Sequence, residues 1–211
     1  MFQFSTKTKV DRSFKLADLF KQMSASKEAK AEAKLIEGVV LKNVLSPTTL
    51  HCDADKTIKE IYVFEIKVKE RFVPETFIKE LDKSIKLHTI FHIKHEDYEL
   101  SMLSYKIGTQ KGKYWQTNWE NEDDFDVPLV SSIPEMYKYI LSKFLIYPPF
   151  ESEGVEEYIK RYNLLAKLDF QIGKTTSAIA HETQSQKRFE YNARLKEYKE
   201  KRNKLLGTSN E

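Results

Sequence analysis

The sequence predicts an α/β (α+β) protein, with a mixed sheet of about five strands, flanking helices and a long C-terminal helical arm. Three observations carry this prediction. The stretch Lys59 to Lys69 is rich in β-branched and aromatic residues and holds neither Gly nor Pro, as a central strand requires. A helical pattern opened by Pro74 links it to a second apolar strand at Leu87 to Ile93, which makes a βαβ unit with parallel strands. From Glu151 onward apolar residues recur at three- and four-residue steps in a highly charged background, the pattern of long paired helices. The expected division is a sheet domain over residues 1–150 and a helical arm or hairpin over 151–211.

The N-terminal residues 1–12 are polar and read as irregular chain or an edge strand. Phe14, Leu16, Phe20 and Met23 then space a short amphipathic helix, with Asp11 or Ser13 as its N-cap. Lys27 to Leu35 is helix-forming but almost bare of large apolar groups, so it is expected to be solvated. Ile36 to Leu45 alternates as a strand, Ser46-Pro47 turns, and Thr48 to Cys52 reads as a short second strand. Asp53 to Lys56 turns into the central strand. On that strand Tyr62, Phe64, Ile66 and Val68 share one face. Ile61, Val63, Glu65 and Lys67 share the other, which turns charged halfway along. Phe77, Ile78, Leu81 and Ile85 form the buried stripe of the helix after Pro74. Strands follow at Tyr98–Lys106 and Lys113–Trp119, then an acidic loop, and a helix from Ser132 to Ile146 with Pro134 in its first turn. The arm's seam is Tyr158, Tyr162, Leu165, Leu168 and Ile172, interrupted around Gly173 to Ser177, then Phe189, Tyr191, Leu195, Tyr198 and Leu205.

Composition excludes several classes. With 40% hydrophobic residues, 13 Phe and 11 Tyr, the chain has the material for a core and is not globally disordered. A formal charge of +3 is too mild to argue nucleic-acid binding by itself. The single cysteine, Cys52, rules out an internal disulfide and fits a reducing compartment. No apolar run is long enough to cross a bilayer, so a soluble, cytoplasmic protein without membrane contact is expected.

Taken in order, several segments resemble the family known as domain of unknown function 4391, found in bacteria and archaea. They are Thr6 to Val10, Leu45 to Leu50, Lys59 to Lys69, Leu81 to Ile85, Tyr114 to Trp119 and Lys187 to Leu195. The resemblance implies a gene neighbourhood of restriction and phage defence, with a DNA helicase and a DNA methyltransferase, and it implies no established activity.

Chemistry is concentrated in one candidate. A helix over 13–34, three strands, a helix over 74–85 and a further strand is the order used by restriction-nuclease folds, which place Glu-x-Lys on the third strand. Glu65-Ile66-Lys67 fits that position, with Asp53 or Asp55 as the second carboxylate. Two carboxylates would hold Mg²⁺, and Lys67 would position the attacking water. The competing reading is a Lys/Glu-rich strand ending in solvent, and it is the stronger one at this composition. No cofactor is expected outside the nuclease alternative. His88 and His92 share one face of their strand and His95 takes the other, with no Cys or paired acid close by, so they read as ordinary strand histidines. Gly173-Lys174-Thr175 lacks the earlier Gly and the strand of a phosphate loop. Trp115 and Trp119 fit the closing of a sheet edge better than a base-stacking platform.

The arm supplies the interaction candidates. Lys187, Arg188, Arg194, Lys199 and Arg202 would meet DNA or an acidic surface. Tyr158, Tyr162, Leu165, Ile172, Tyr191, Leu195 and Tyr198 would meet a protein partner, with Asn192 near the seam as a register-fixing polar residue. The leading expectation is a non-catalytic accessory subunit of a DNA-targeting defence system, docked on a helicase or methyltransferase. The alternatives are a metal-dependent nuclease and a structural homodimer formed through the arm.

Overall fold

The computed structural model describes residues 2–53, 58–106, 112–121, 125–128 and 130–207. It is a mixed α+β protein in two compact units, Met1–Ile146 and Tyr147–Glu211.

The first unit is built on a mixed sheet. In chain order the strands are β1 (Phe2–Gln3), β2 (Lys9–Phe14), β3 (Ile36–Leu45), β4 (Ile61–Val68), β5 (His88–His95), β6 (Tyr98–Tyr105), β7 (Lys113–Gln116), β8 (Glu120–Asn121) and β9 (Phe125–Asp126). The main sheet runs β2-β3-β4-β5-β6-β7, with β8 also on β6, while β1 and β9 pair separately and in parallel. Among the described residues of the main sheet, β4 and β5 run parallel and the other pairs are antiparallel. The parallel pair is spanned by α4 (Glu75–Ser84), as the βαβ reading required.

Sheet periodicity sends Val39, Leu41, Phe64, Ile66, Val68, Phe91, Ile93, Leu100 and Met102 to one face. There they join Leu19 and Met23 of α1 (Leu16–Met23), Ala29 of α2 (Lys27–Glu32), Ala33 just beyond it, and Phe77, Ile78 and Leu81 of α4 in one buried cluster. Phe64 and Phe91 stack with ring centroids 5.6 Å apart at the centre. The opposite face is buried at one end by Ile61, Val63, Ile90 and Leu103. Nearby, Tyr137 of α5 (Ile133–Ser142) donates to the Ser104 carbonyl at 2.7 Å and meets the His88 ring edge-on. Phe2 lies against both His92 and Phe144. Beyond that cover, the face opens where it becomes charged.

Three local expectations are corrected. Thr48 to Cys52 is not a strand: Pro47–Leu50 forms the short helix α3. Ser46 and Thr49 make a reciprocal capping box and Pro47 opens the turn, so local capping outweighs β-propensity. Residues 9–14 form edge strand β2, leaving Lys15 at the N-cap of α1 rather than Asp11 or Ser13. The Lys27–Leu35 segment is not simply solvated, because Ala29 and Ala33 are buried and their small side chains let it pack closely on the core. The main sheet has six strands along its path, in line with the expected mixed sheet of about five, with β2 as its edge.

The second unit is a helical hairpin, α6 (Val155–His181) and α7 (Ser185–Leu206). The break falls at residues 182–184 and not at Gly173 to Ser177, through which α6 runs without interruption. Arg161 ties the start of α6 to Glu153 at 2.7 Å and to the Pro148 carbonyl. Arg202 of α7 binds Asp169 of α6 at 2.7 Å and the Tyr147 hydroxyl at 3.0 Å. Gly207 ends α7 with φ of 69°, a left-handed cap that glycine adopts without strain.

Candidate functional site

Glu65 and Lys67 lie in the second half of β4 on the face away from the α4 layer, as period two requires. The neighbouring strands decide what surrounds them. In the register, Glu65 lies opposite Val40 on β3 and His92 on β5, and Lys67 lies opposite Gly38 and Lys94. The tight turn between β5 and β6 then pairs His92 with Ser101 and Lys94 with Glu99. The result is a cluster of charged and polar side chains across three adjacent strands, with Glu65, His92 and Ser101 in one row and Lys67, Lys94 and Glu99 in the next.

The Lys94 ammonium is 3.9 Å from Glu65 Oε2 and 3.6 Å from Glu99 Oε2, so one cation serves two carboxylates. His92 Nδ1 is 2.9 Å from Glu99 Oε1 and 2.9 Å from the Ser101 hydroxyl. Glu65, Glu99 and His92 are all buried. Two buried carboxylates would repel each other strongly without a cation, and Lys94 supplies it. Burial pushes the Glu99 carboxyl up, but its hydrogen bond to His92 and the charges of His92 and Lys94 outweigh this and hold it below the usual range. Outside this row a cleft of about 540 Å³ is lined by Glu37, Lys42, Glu65, Lys67, Lys94 and Glu96.

The second carboxylate of the nuclease arrangement is not where the sequence reading put it. Asp53 follows α3 beyond the end of β3, whose Leu45 lies opposite Ile61 at the start of β4. Glu65 is four residues further along that strand, roughly 13 Å away. Asp53 is exposed and bridges to Ser132 at the start of α5. Asp55 lies outside the described residues. On the neighbouring strand β3, the residue facing Glu65 is Val40, which cannot ligate a metal. Among the described residues, no three His, Cys, Asp or Glu side chains are grouped to hold a metal ion.

Lys94 and Glu99 were not singled out from the sequence, although a signal existed. Lys94 shares a face with His92, and the two-residue turn at Glu96-Asp97 fixes Glu99 opposite it. A second buried network was also missed. Asp82 of α4 binds Lys106 at 2.8 Å, Ser104 at 2.9 Å and Tyr114 at 2.7 Å, and also accepts from Thr89. Lys106 donates in turn to the carbonyls of Asp82, Ile85 and Leu87. Lys106 is therefore fully engaged in holding the end of α4 against the sheet. Beside this network, burial among aromatic rings and the charge of Lys106 lower the His88 pKa to about 4.

The family comparison bears on the whole of this arrangement, because the matching model spans residues 2–201 and is described as a domain of unknown function (DUF4391). The chain belongs to the DUF4391 family. No curated protein and no solved structure matches this DUF4391 chain. Among its described residues, no helix is long and apolar enough to cross a membrane.

In the hairpin the two candidate sets are rearranged. Tyr158 and Leu165 are fully buried, and Tyr162, Ile172, Tyr191, Leu195 and Tyr198 are half-buried, so this stripe is largely used inside the chain. The large apolar side chains left exposed are Leu164 (52%), Phe170 (67%) and Phe189 (76%). Lys187, Arg188, Arg194 and Lys199 are exposed, whereas Arg202 is committed to Asp169 and Tyr147. Asn192 is exposed and donates to the Arg188 carbonyl one turn earlier, so it does not fix a seam.

Proposed function

We propose that this DUF4391 protein is a non-catalytic accessory subunit of a DNA-targeting restriction or phage-defence system, docked on a helicase or methyltransferase through its C-terminal hairpin. The observation that carries the non-catalytic part is the ammonium of Lys94, within 4 Å of both Glu65 and Glu99, with Val40 across from Glu65. A cationic side chain stands beside the carboxylates where a nuclease would need a divalent ion. The docking part is supported by the outward side chains of α6. Leu164 and Phe170 are large, apolar and exposed, the kind of anchor that a partner pocket desolvates.

Co-expression with a DNA helicase and with a DNA methyltransferase of such a defence system tests this reading. The wild-type chain is expected to co-purify with one of them. Leu164→Glu combined with Phe170→Glu is expected to reduce recovery at least tenfold while the chain stays folded, since exposed substitutions usually change stability little. Undiminished recovery of the double variant would overturn docking through this surface.

A second reading, a metal-dependent DNA nuclease, is favoured by one specific observation. Glu65-Ile66-Lys67 lies on β4 and is followed by helix α4 and the parallel strand β5, as in the last part of the nuclease order, although β2 precedes α1 and α3 stands where a further strand was expected. In that reading Lys94 would have to swing away to admit Mg²⁺.

A further inference from the structure

We infer that one flank of α7 is a contact for the backbone of duplex DNA, with Arg188, Lys196 and Lys199 holding phosphates on either side of Asn192. The inference rests on the proposed role in a DNA-targeting system and assigns the DNA contact to one set of side chains.

The hairpin itself fixes the orientation of α7. Tyr191, Leu195, Tyr198 and Leu205 are half-buried, and Arg202 is tied to Asp169, so these residues mark its inner side. At about 100° per residue, Arg188, Asn192, Lys196, Lys199 and Asn203 then fall in one sector of roughly 80° beside that edge. No carboxylate falls within the sector. Glu200 borders it on the outer side, and Glu190 and Glu197 lie beyond, with Glu197 bound to Lys201 at 2.6 Å. Arg188, Lys196 and Lys199 are exposed, and none makes an ion pair among the described residues. Asn192, Leu195, Lys196, Lys199, Glu200 and Asn203 line a shallow groove of about 430 Å³.

Spacing and charge select the partner. Arg188 and Lys196 are eight residues apart, about 12 Å along the axis. This equals the width of the major groove, which is about 12 Å and admits an α-helix. Asn192 lies midway between the two cations, so a helix crossing the groove would set a cation at each phosphate ridge and an amide over the base edges. An acidic protein surface offers no such repeat. Three neutralised phosphates give an affinity falling with salt at a logarithmic slope of about −2.7.

The test is fluorescence anisotropy of the full chain with a labelled duplex of random sequence, titrated at several salt concentrations. The triple variant Arg188→Ala, Lys196→Ala, Lys199→Ala is expected to bind at least tenfold more weakly and to lose most of the salt slope. Lys201→Ala with Lys204→Ala, both exposed and outside that sector, is expected to stay within about twofold of wild type. Equal losses in both variants, no wild-type binding to duplex, or polyglutamate competing as well as DNA would each overturn the inference. Co-purification of the triple variant with its partner is measured in parallel. Lost DNA binding with retained co-purification supports a separate DNA flank. Co-purification of a wild-type chain that does not bind DNA sinks the inference and leaves the docking proposal standing.

Discussion

At the scale of single residues, Lys94 determines how Glu65 is read. Taken alone, Glu65-x-Lys67 on a strand has the right residue types and period for metal-assisted hydrolysis. The pairing of β5 with β4 and β6 brings Lys94 beside Glu65 and Glu99, and the row becomes an ion-pair network. Glu65 and Lys67 could be assigned to one face from the sequence alone, because that needs only period two. Their neighbours could not, because register across three strands depends on turns and bulges that local composition underdetermines. His88 yields a separate prediction. Its pKa is depressed from 6.5 to about 4, so the unfolded chain binds a proton in that window and the native chain does not. Stability therefore rises with pH between about 4 and 6.5, and acidification through that window removes up to about 3 kcal/mol. Urea unfolding of His88→Phe, compared with wild type at pH 7 and pH 4.5, should show a smaller loss on acidification; an identical loss would contradict the assignment.

At the scale of elements, the sequence was most legible where apolar spacing was long and regular. The core stripe of α4 and the apolar faces of β4 and β5 appear where the pattern placed them, and the C-terminal arm is helical as expected although its break lies elsewhere. It was least legible where a few polar atoms decide. The Ser46–Thr49 capping box turned an expected strand into α3, and with it moved Asp53 away from Glu65. Gly173 was read as a weak point, yet α6 continues through it, since one glycine costs about 1 kcal/mol against alanine and neighbouring turns outweigh that. A Cβ added at Gly173 would meet nothing within 4 Å. Gly173→Ala should therefore stabilise the helical unit by roughly 0.5–1 kcal/mol. Thermal unfolding followed by circular dichroism checks this, and a lower melting temperature would show that the position is constrained.

At the scale of the whole molecule, the mixed sheet and the helical hairpin each carry one part of the proposed role. The sheet carries Glu65-x-Lys67 on a central strand, but its buried charges are spent on one another. The hairpin presents exposed aromatic and basic side chains that the fold does not consume. Fold class followed from strand and helix periodicity, while the division of labour needed the register and the burial of each side chain. The most direct measurement is a cleavage assay on duplex and single-stranded DNA with Mg²⁺ or Mn²⁺, comparing wild type with Glu65→Ala and Lys67→Ala. The account predicts no metal-dependent cleavage by any of the three, with all of them folded. Cleavage by the wild type that disappears in both variants would contradict it and make the cleft around Glu65 a nuclease active site.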